Sequence, residues 1–398
     1  MENLRIKSNL IVQQQTLDIV RPLAQKIDWN DRLIGILGAR GTGKTTLILQ
    51  QLKSKYGLSN KALYITMDDI HFTTTSLADF AVDFRQSGGE ILFIDEVHKY
   101  PNWATEIKNI YDFYKDLKIV FTGSSIVDIS RQNVDLSRRA VQYELTGLSY
   151  REYLNFRGII DLDALSLSDI LANHVEIANG IAGNFKPLQY LSDYFIHGYY
   201  PFFIENTATY HLRLEKVVRL IIEQDLQFIA GFNPHHSRKI YQLLYILSTN
   251  VPFKPNITNL SEKTGISRNM IIEYLHYLDN ARLINSLTAA GKSISTLQKP
   301  DKIFLENTNL LFAISPTNTD KGSLREAFFM NQLKNAGYEV NAPLKGDFYV
   351  DNKYTFEIGG KNKSAKQLNG IENAFYAIDD IEAGVDNKIP LWLFGLLA

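Results

Sequence analysis

The chain has 398 residues, 45% of them hydrophobic and 21% charged; it can bury several cores, divides into two to four domains on length, and is excluded from the disordered class. Lys and Arg number 42 against 43 Asp and Glu, and the resulting net charge of -1 gives no global attraction to nucleic acid, leaving only local patches for such contact. Cysteine is absent, which excludes disulfides and thiolate zinc sites and suits a reducing compartment.

The first stretch, MENLRIKSNLIVQQQ, has no long apolar segment behind its charges, and no run elsewhere approaches the length that spans a bilayer. The expectation is a cytoplasmic protein with no membrane partner. An apolar strand, Leu33 to Leu37, then leads into GARGTGKT, in which Gly38, Gly43, Lys44 and Thr45 complete the pattern G-x-x-x-x-G-K-[ST]. Leu47, Ile48 and Leu52 follow at helical spacing, with a stop at Gly57. Strand, glycine loop and helix are the order a P-loop requires, and the expected ligand is ATP with Mg²⁺.

Gly38, Ala39, Arg40, Gly41, Thr42, Gly43, Lys44, Thr45 and Thr46 are the candidate nucleotide-binding residues. The glycines let backbone N–H groups turn inward around the β-phosphate, and the helix that starts near Gly43 adds unpaired N–H groups and the positive end of its dipole. Lys44 is expected on the β- and γ-phosphate oxygens and the Thr45 hydroxyl on Mg²⁺.

Next come a strand, KALYITM, a helix-compatible run to Gly88 and Gly89, and a strand, Ile91 to Ile94, that ends in Asp95 and Glu96. Alternating strands and helices imply a parallel sheet covered on both faces, an α/β fold of the P-loop NTPase kind. Four apolar residues ending in Asp-Glu after a P-loop read as Walker B. Asp95 is the second candidate metal ligand and Glu96 the candidate base for the attacking water; His98 reads as structural. A further strand, Lys118 to Phe121, runs into Thr122, Gly123, Ser124 and Ser125. Ser124 or Thr122 is the candidate γ-phosphate sensor, with helix capping by Ser124 or Ser125 as the alternative. Arg138 and Arg139 are either an arginine finger for a neighbouring copy, which makes a homo-oligomer a candidate partner, or a solvated basic pair.

Taken together, GARGTGKT, ILFIDEVHKYPNW, IVFTGSS and ELTGLSYREYL resemble the AAA-type ATPases of bacteria and archaea that join an ATPase core to a C-terminal nuclease-like domain. The resemblance covers nearly the whole chain and implies a P-loop strand flanked by the sensor strand. It divides the chain into an ATPase core at 1–155, a helical lid or arm at 156–231, a winged-helix module at 232–298 and a small α/β nuclease-like domain at 299–398.

Runs such as SLSDILANHVEIANGI and HLRLEKVVRLIIEQDLQFIA show the helical spacing of the arm, interrupted at Gly198, Tyr199, Tyr200 and Pro201, where relatives often carry a Gly-Gly-x-Pro turn. Ser237 to Leu287 reads as three helices, with Gly265 ending the second and Ser267 capping the third. The third helix would offer DNA the residues Arg268, Asn269, His276 and Tyr277, with Lys292 on the wing, while Glu273 and Asp279 oppose such contact and leave a protein-docking or purely connecting role as the alternative. A helix, GSLREAFFMNQLKNAG, strands at YEVNA, DFYVD and YTFEIGGK, a helix-like run to Tyr376 and a final apolar strand, LWLFGLL, resemble the PD-(D/E)xK nuclease fold.

Carried over from that fold, Glu326, Asp347 and Glu357 match its acidic positions and form a candidate second metal site. The lysine expected two residues after Glu357 is absent; Gly359 stands there and Lys361 is the nearest replacement, while Lys353, Lys361, Lys363 and Lys366 read as contacts to phosphates or to a protein partner, or as a solvated face. The expectation is a nuclease-like fold with little or no cleavage. The whole reads as a Mg²⁺-dependent ATP-binding and ATP-hydrolysing protein that couples nucleotide state to DNA contact. The alternative is a nucleotide-gated switch with protein partners and no DNA role.

Overall fold

The computed structural model describes residues 1–125, 136, 138–183, 185–229, 232–249, 251–290, 299–364 and 367–398, without the side chains of 182 and 318. Lys292 and Lys366 therefore lie outside the described residues. The chain forms two compact units, one of Met1–Thr146 with Gln224–Phe232, the other of Gly147–Glu223 with Asn233–Ala398.

The first unit runs α1 (Glu2–Gln14), α2 (Leu23–Lys26), β1 (Leu33–Gly38), α3 (Lys44–Tyr56), β2 (Ala62–Thr66), α4 (Leu77–Gln86), β3 (Ile91–Asp95), α5 (Trp103–Phe113), β4 (Lys118–Ser124) and β5 (Val141–Glu144). Its sheet has the order β2-β3-β4-β1-β5, and every neighbouring pair is parallel. The P-loop strand β1 thus lies beside β4, as the resemblance implies. Because side chains alternate across a strand, each apolar run divides between two cores. Leu33, Leu37, Leu92, Ile94, Ile119 and Phe121 join one with α4 and α5, whereas Ile34, Ile36, Ile91, Phe93 and Val120 join the other with α3. Parallel strands buried on both faces read as continuous hydrophobic runs, which is why this part of the fold is visible in the sequence.

The second unit opens with helices α6 (Tyr150–Phe156), α7 (Leu167–Ala182), α8 (Pro187–His197) and α9 (Tyr210–Glu223). Ser149 caps α6 in a capping box with Glu152, so the LSYREYL stretch is a helix start. The break at Gly198 to Pro201 is a turn into a short 3₁₀ segment, with Tyr199 and Tyr200 buried. Then follow α10 (Ser237–Ser248), α11 (Ile257–Thr264), α12 (Arg268–Asn280) and an antiparallel pair, β6 (Ile284–Leu287) with β7 (Lys302–Leu305). Gly265 ends α11 in the left-handed region (φ 64°), and Ser267 caps α12 by accepting from the Met270 N–H.

After α13 (Thr308–Ile314) and α14 (Lys321–Asn335) come β8 (Val340–Asn341), β9 (Phe348–Val350), β10 (Tyr354–Gly360), β11 (Ala374–Asp379) and β12 (Lys388–Pro390). They form a mixed sheet in the order β12-β11-β10-β9-β8, antiparallel from β8 to β10 and parallel from β10 to β12. Two expectations fail here. The run to Tyr376 contains no helix among the described residues and ends in β11, because Phe375, Tyr376 and Ala377 pair with β10. LWLFGLL is a 3₁₀ helix, Leu391–Leu396, whose six residues are all buried; a short run buried all round has no periodicity to distinguish strand from helix.

Candidate functional site

The phosphate loop is shaped by glycines where no side chain fits. A Cβ on Gly38 would lie 2.2 Å from the Leu145 carbonyl oxygen, and Gly43, with φ 97°, precedes the first turn of α3. Thr42, fully buried, donates its hydroxyl to the Ala39 carbonyl at 2.9 Å, and Arg21 donates to the Thr42 and Thr146 carbonyls at 3.1 Å each. Lys44 Nζ turns into this cradle and donates to the Gly38 and Ala39 carbonyls, both at 2.9 Å. Burial lowers the ammonium's pKa, while the charges of Glu96 and Asp95 oppose the shift.

Asp95 ends β3 with both oxygens engaged. Oδ2 accepts from Thr45 Oγ1 at 2.8 Å and from the Tyr64 hydroxyl at 3.0 Å, and Oδ1 accepts from Thr122 Oγ1. Burial raises the carboxyl above its ordinary range, against the pull of these donors. Thr45 and Asp95, predicted as a pair, are brought together. Thr122 also accepts the Glu96 N–H at 3.0 Å, so it ties the two acids to β4.

Glu96 itself is left-handed (φ 56°, ψ 44°), and its Oε2 lies 3.2 Å from His98 Nε2 and 3.8 Å from Lys99 Nζ. His98 is buried, and that burial pushes its pKa down to about 4. Its Nδ1 accepts the Ser124 N–H at 3.4 Å. Of the remaining predicted residues, Arg40 forks onto Asp225 (2.9 and 3.3 Å), Arg139 forks onto Asp112 (2.9 Å twice), and Arg138 is exposed. Thr46, in the first turn of α3, is exposed.

Tyr64, Arg21 and Asp225 were not foreseen. Tyr64 had one available signal, a polar-tipped ring in the strand that precedes Walker B. Arg21 and Asp225 reach the loop only through tertiary folding.

In the second unit, Glu326, Asp347 and Glu357 lie close enough for their charges to interact. Burial first, then the charges of Asp347 and Glu357, push Glu326 up to about 7. Lysines occupy the cluster: Lys302 Nζ is 3.8 Å from Glu326 Oε2 and 3.7 Å from Asp347 Oδ1, and Lys363 Nζ is 2.5 Å from Glu357 Oε1. Among the described residues no three His, Asp or Glu side chains come together as a metal-holding group. The strand runs unbroken through Gly359 and Gly360, paired with β11, yet Lys361 is exposed and the lysine at Glu357 is Lys363. A Cβ on Gly359 would lie 2.7 Å from the Lys363 stem, so the glycine makes room for that crossing.

On α12, Arg268 and Asn269 are exposed as expected, but Tyr277 is buried and its hydroxyl donates to Glu273, so it offers no surface to a partner.

The raised Glu326 carries a stability signature. Its ordinary pKa of 4.5 becomes about 7 in the fold. The native state therefore holds the extra proton between those values, and stability falls as pH rises from about 4.5 to about 7, by on the order of 3 kcal/mol. Glu326→Gln should melt higher than the parent at pH 8 and show no such gain at pH 5. Thermal melts at both pH values check this; a gain independent of pH would assign the effect to packing.

The glycine cradle, the inward lysine and the Thr45–Asp95 pair on a five-stranded parallel sheet define a P-loop nucleotide-binding domain. Residues 30–154 match the family described as an AAA domain. Residues 188–321 match a family described as a domain of unknown function, DUF8612. An uncharacterized protein of Methanocaldococcus jannaschii, MJ1637, is 28% identical over 393 residues, covering 88% of this chain and 80% of that one. Among solved structures, AMPPCP-bound DnaA from Aquifex aeolicus is 14% identical over 68% of this chain and 86% of its own, with a TM-score of 0.24. DnaA bound to AMPPCP and single-stranded DNA is 15% identical over 63% and 83%, with a TM-score of 0.26. A katanin self-assembly structure is 13% identical over 42% and 61%, with a TM-score of 0.26. At these TM-scores none of the three bears on what this chain binds. No described helix is long and apolar enough to cross a membrane.

Proposed function

We propose that the chain binds ATP with Mg²⁺ and hydrolyses it, and that nucleotide state governs contact with DNA through a winged-helix module at 232–298 and a nuclease-like domain at 299–398. The observation that carries the ATPase reading is the convergence of Lys44 and Thr45, where the loop runs into α3, with Asp95 and Glu96 at the end of β3. Two hard oxygen donors side by side, the Thr45 hydroxyl and the Asp95 carboxylate at 2.8 Å, fit Mg²⁺ chemistry. When bound, the ion would offset charge on the β- and γ-phosphate oxygens.

In this reading Lys44 exchanges its two carbonyls for phosphate oxygens, and the N–H groups of the loop and of the start of α3 hold the β-phosphate. Glu96 accepts the proton of the attacking water. Ser124 stands at the tip of β4 as the sensor, and its backbone contact with His98 supports that position. Arg139 is held by Asp112, so exposed Arg138 is the better finger for a second copy of the chain.

The DNA branch rests on exposed Arg268 and Asn269 and on the helical triad followed by β6, which pairs with β7 (Lys302–Leu305) from beyond residue 298. A protein-docking switch is the second reading, favoured by the inward turn of Tyr277 and by the acids Glu273 and Asp279 on the same helix. The test is ATPase turnover with and without duplex DNA at moderate salt. Stimulation that fades as salt is added supports DNA contact, whereas indifference to DNA supports the docking switch.

The nuclease-like domain is proposed to retain its fold without cleaving. Lys302 and Lys363 pair with the carboxylates that would otherwise hold a second metal at Glu326, Asp347 and Glu357. Plasmid and single-stranded DNA should stay intact with Mg²⁺ or Mn²⁺. Cleavage by the parent that Asp347→Ala and Glu357→Ala both remove would overturn this.

A further inference from the structure

The segment Gln224–Phe232 belongs to the first unit, although the chain on both sides of it, through Glu223 and from Asn233, folds into the second. Two of its side chains reach residues of the nucleotide site. Asp225, 1% exposed, takes the fork of Arg40 from the phosphate loop. Phe228 meets His98 edge to face, with ring centroids 5.4 Å apart and planes at 83°. One short segment therefore holds the loop that surrounds the phosphates and the histidine beside the candidate base.

His98 has a defined chemistry there. Its Nδ1 accepts the Ser124 N–H, so the neutral ring carries its proton on Nε2, which faces Glu96 Oε2 at 3.2 Å. The pair is close but not aligned as a hydrogen bond, and Nε2 is buried. The left-handed backbone of Glu96 is anchored by its N–H on Thr122 and its carbonyl on the Lys99 N–H, neither of which sets the direction of the carboxylate; Lys99 Nζ, held by Asp68, stands 3.8 Å from Oε2, farther than His98 Nε2.

We propose that His98 is a positioning residue for the Glu96 carboxylate, and that Asp225–Phe228, by holding His98 and Arg40 together, makes turnover depend on a segment tied at both ends to the second unit. The inference rests on the ATPase reading of the same site. It assigns to His98 a task that the sequence, where it is a single histidine after Walker B, does not indicate.

The test uses the full chain and two readouts: calorimetric affinity for a non-hydrolysable ATP analogue with Mg²⁺, and the steady-state rate of phosphate release. His98→Ala should lower kcat by about 10- to 100-fold, the scale of a slight misplacement of a catalytic group, and leave analogue affinity near that of the parent. His98→Gln offers both an acceptor for the Ser124 N–H and a donor for Glu96, and should recover most of the rate. Phe228→Ala, at a half-exposed position that tolerates truncation, should also slow kcat without weakening binding.

His98→Ala at the parent rate would overturn the proposal, and so would His98→Ala and His98→Gln that are equally slow, since the ring would then be only packing. Phe228→Ala at the parent rate would remove the segment's part in it. A parent that binds the analogue but releases no phosphate would also overturn it. A parent with no affinity for nucleotide would instead defeat the ATPase reading beneath it.

Discussion

Lys44→Ala should leave a folded protein whose calorimetric titration with ATP and Mg²⁺ is flat under conditions in which the parent gives a clear isotherm. The ammonium is buried and held by two loop carbonyls, and in the proposed reading its loss removes a cation that exchanges those carbonyls for phosphate oxygens. Charge-assisted bonds of this kind contribute about 1.5–3 kcal/mol each, so losing two of them weakens binding by roughly 100-fold or more. The fold should tolerate the change, because burial already disfavours the charged form of this group. Parent-like affinity in Lys44→Ala would mean that the phosphates bind elsewhere.

Glu96→Gln should give the opposite separation, with nucleotide affinity kept and phosphate release reduced by about 10²- to 10⁴-fold, the usual contribution of a general base. The amide matches the carboxylate in shape, and the backbone N–H to Thr122 is untouched, so the loop and the Thr45–Asp95 pair should stay as they are. Single-turnover measurement with ATP bound in advance distinguishes a slow chemical step from slow product release. Release at the parent rate would shift the base role to another group.

The phosphate loop was legible in the sequence because its chemistry is local: eight consecutive residues carry the glycines, the lysine and the hydroxyl. Walker B was legible because a strand buried on both faces ends abruptly in two acids. Asp225 was not, since only the folded chain brings it to Arg40, 185 residues away. Lys363 was hidden for a different reason. Counting along a strand assumes that a lysine acts from its own register position, whereas here a side chain from beyond the strand end crosses Gly359 to reach Glu357. Tyr277 lies on the buried face and not on the surface, because helical spacing alone leaves the width of that face undefined and it extends from Ile271, Leu275 and Leu278 to Tyr274 and Tyr277.

The return of residues Gln224–Phe232 to the first unit also bears on how such a chain can be divided or recombined. An ATPase cassette cut at Thr146, or at the end of the matched stretch at residue 154, would omit Asp225 and Phe228 and leave the Arg40 guanidinium and one face of His98 without the groups that cover them. Exchanging C-terminal portions between relatives would carry this piece of the nucleotide site along with the donor. A chimera would therefore have to keep the segment that carries Asp225 and Phe228 matched to the phosphate loop that Asp225 holds.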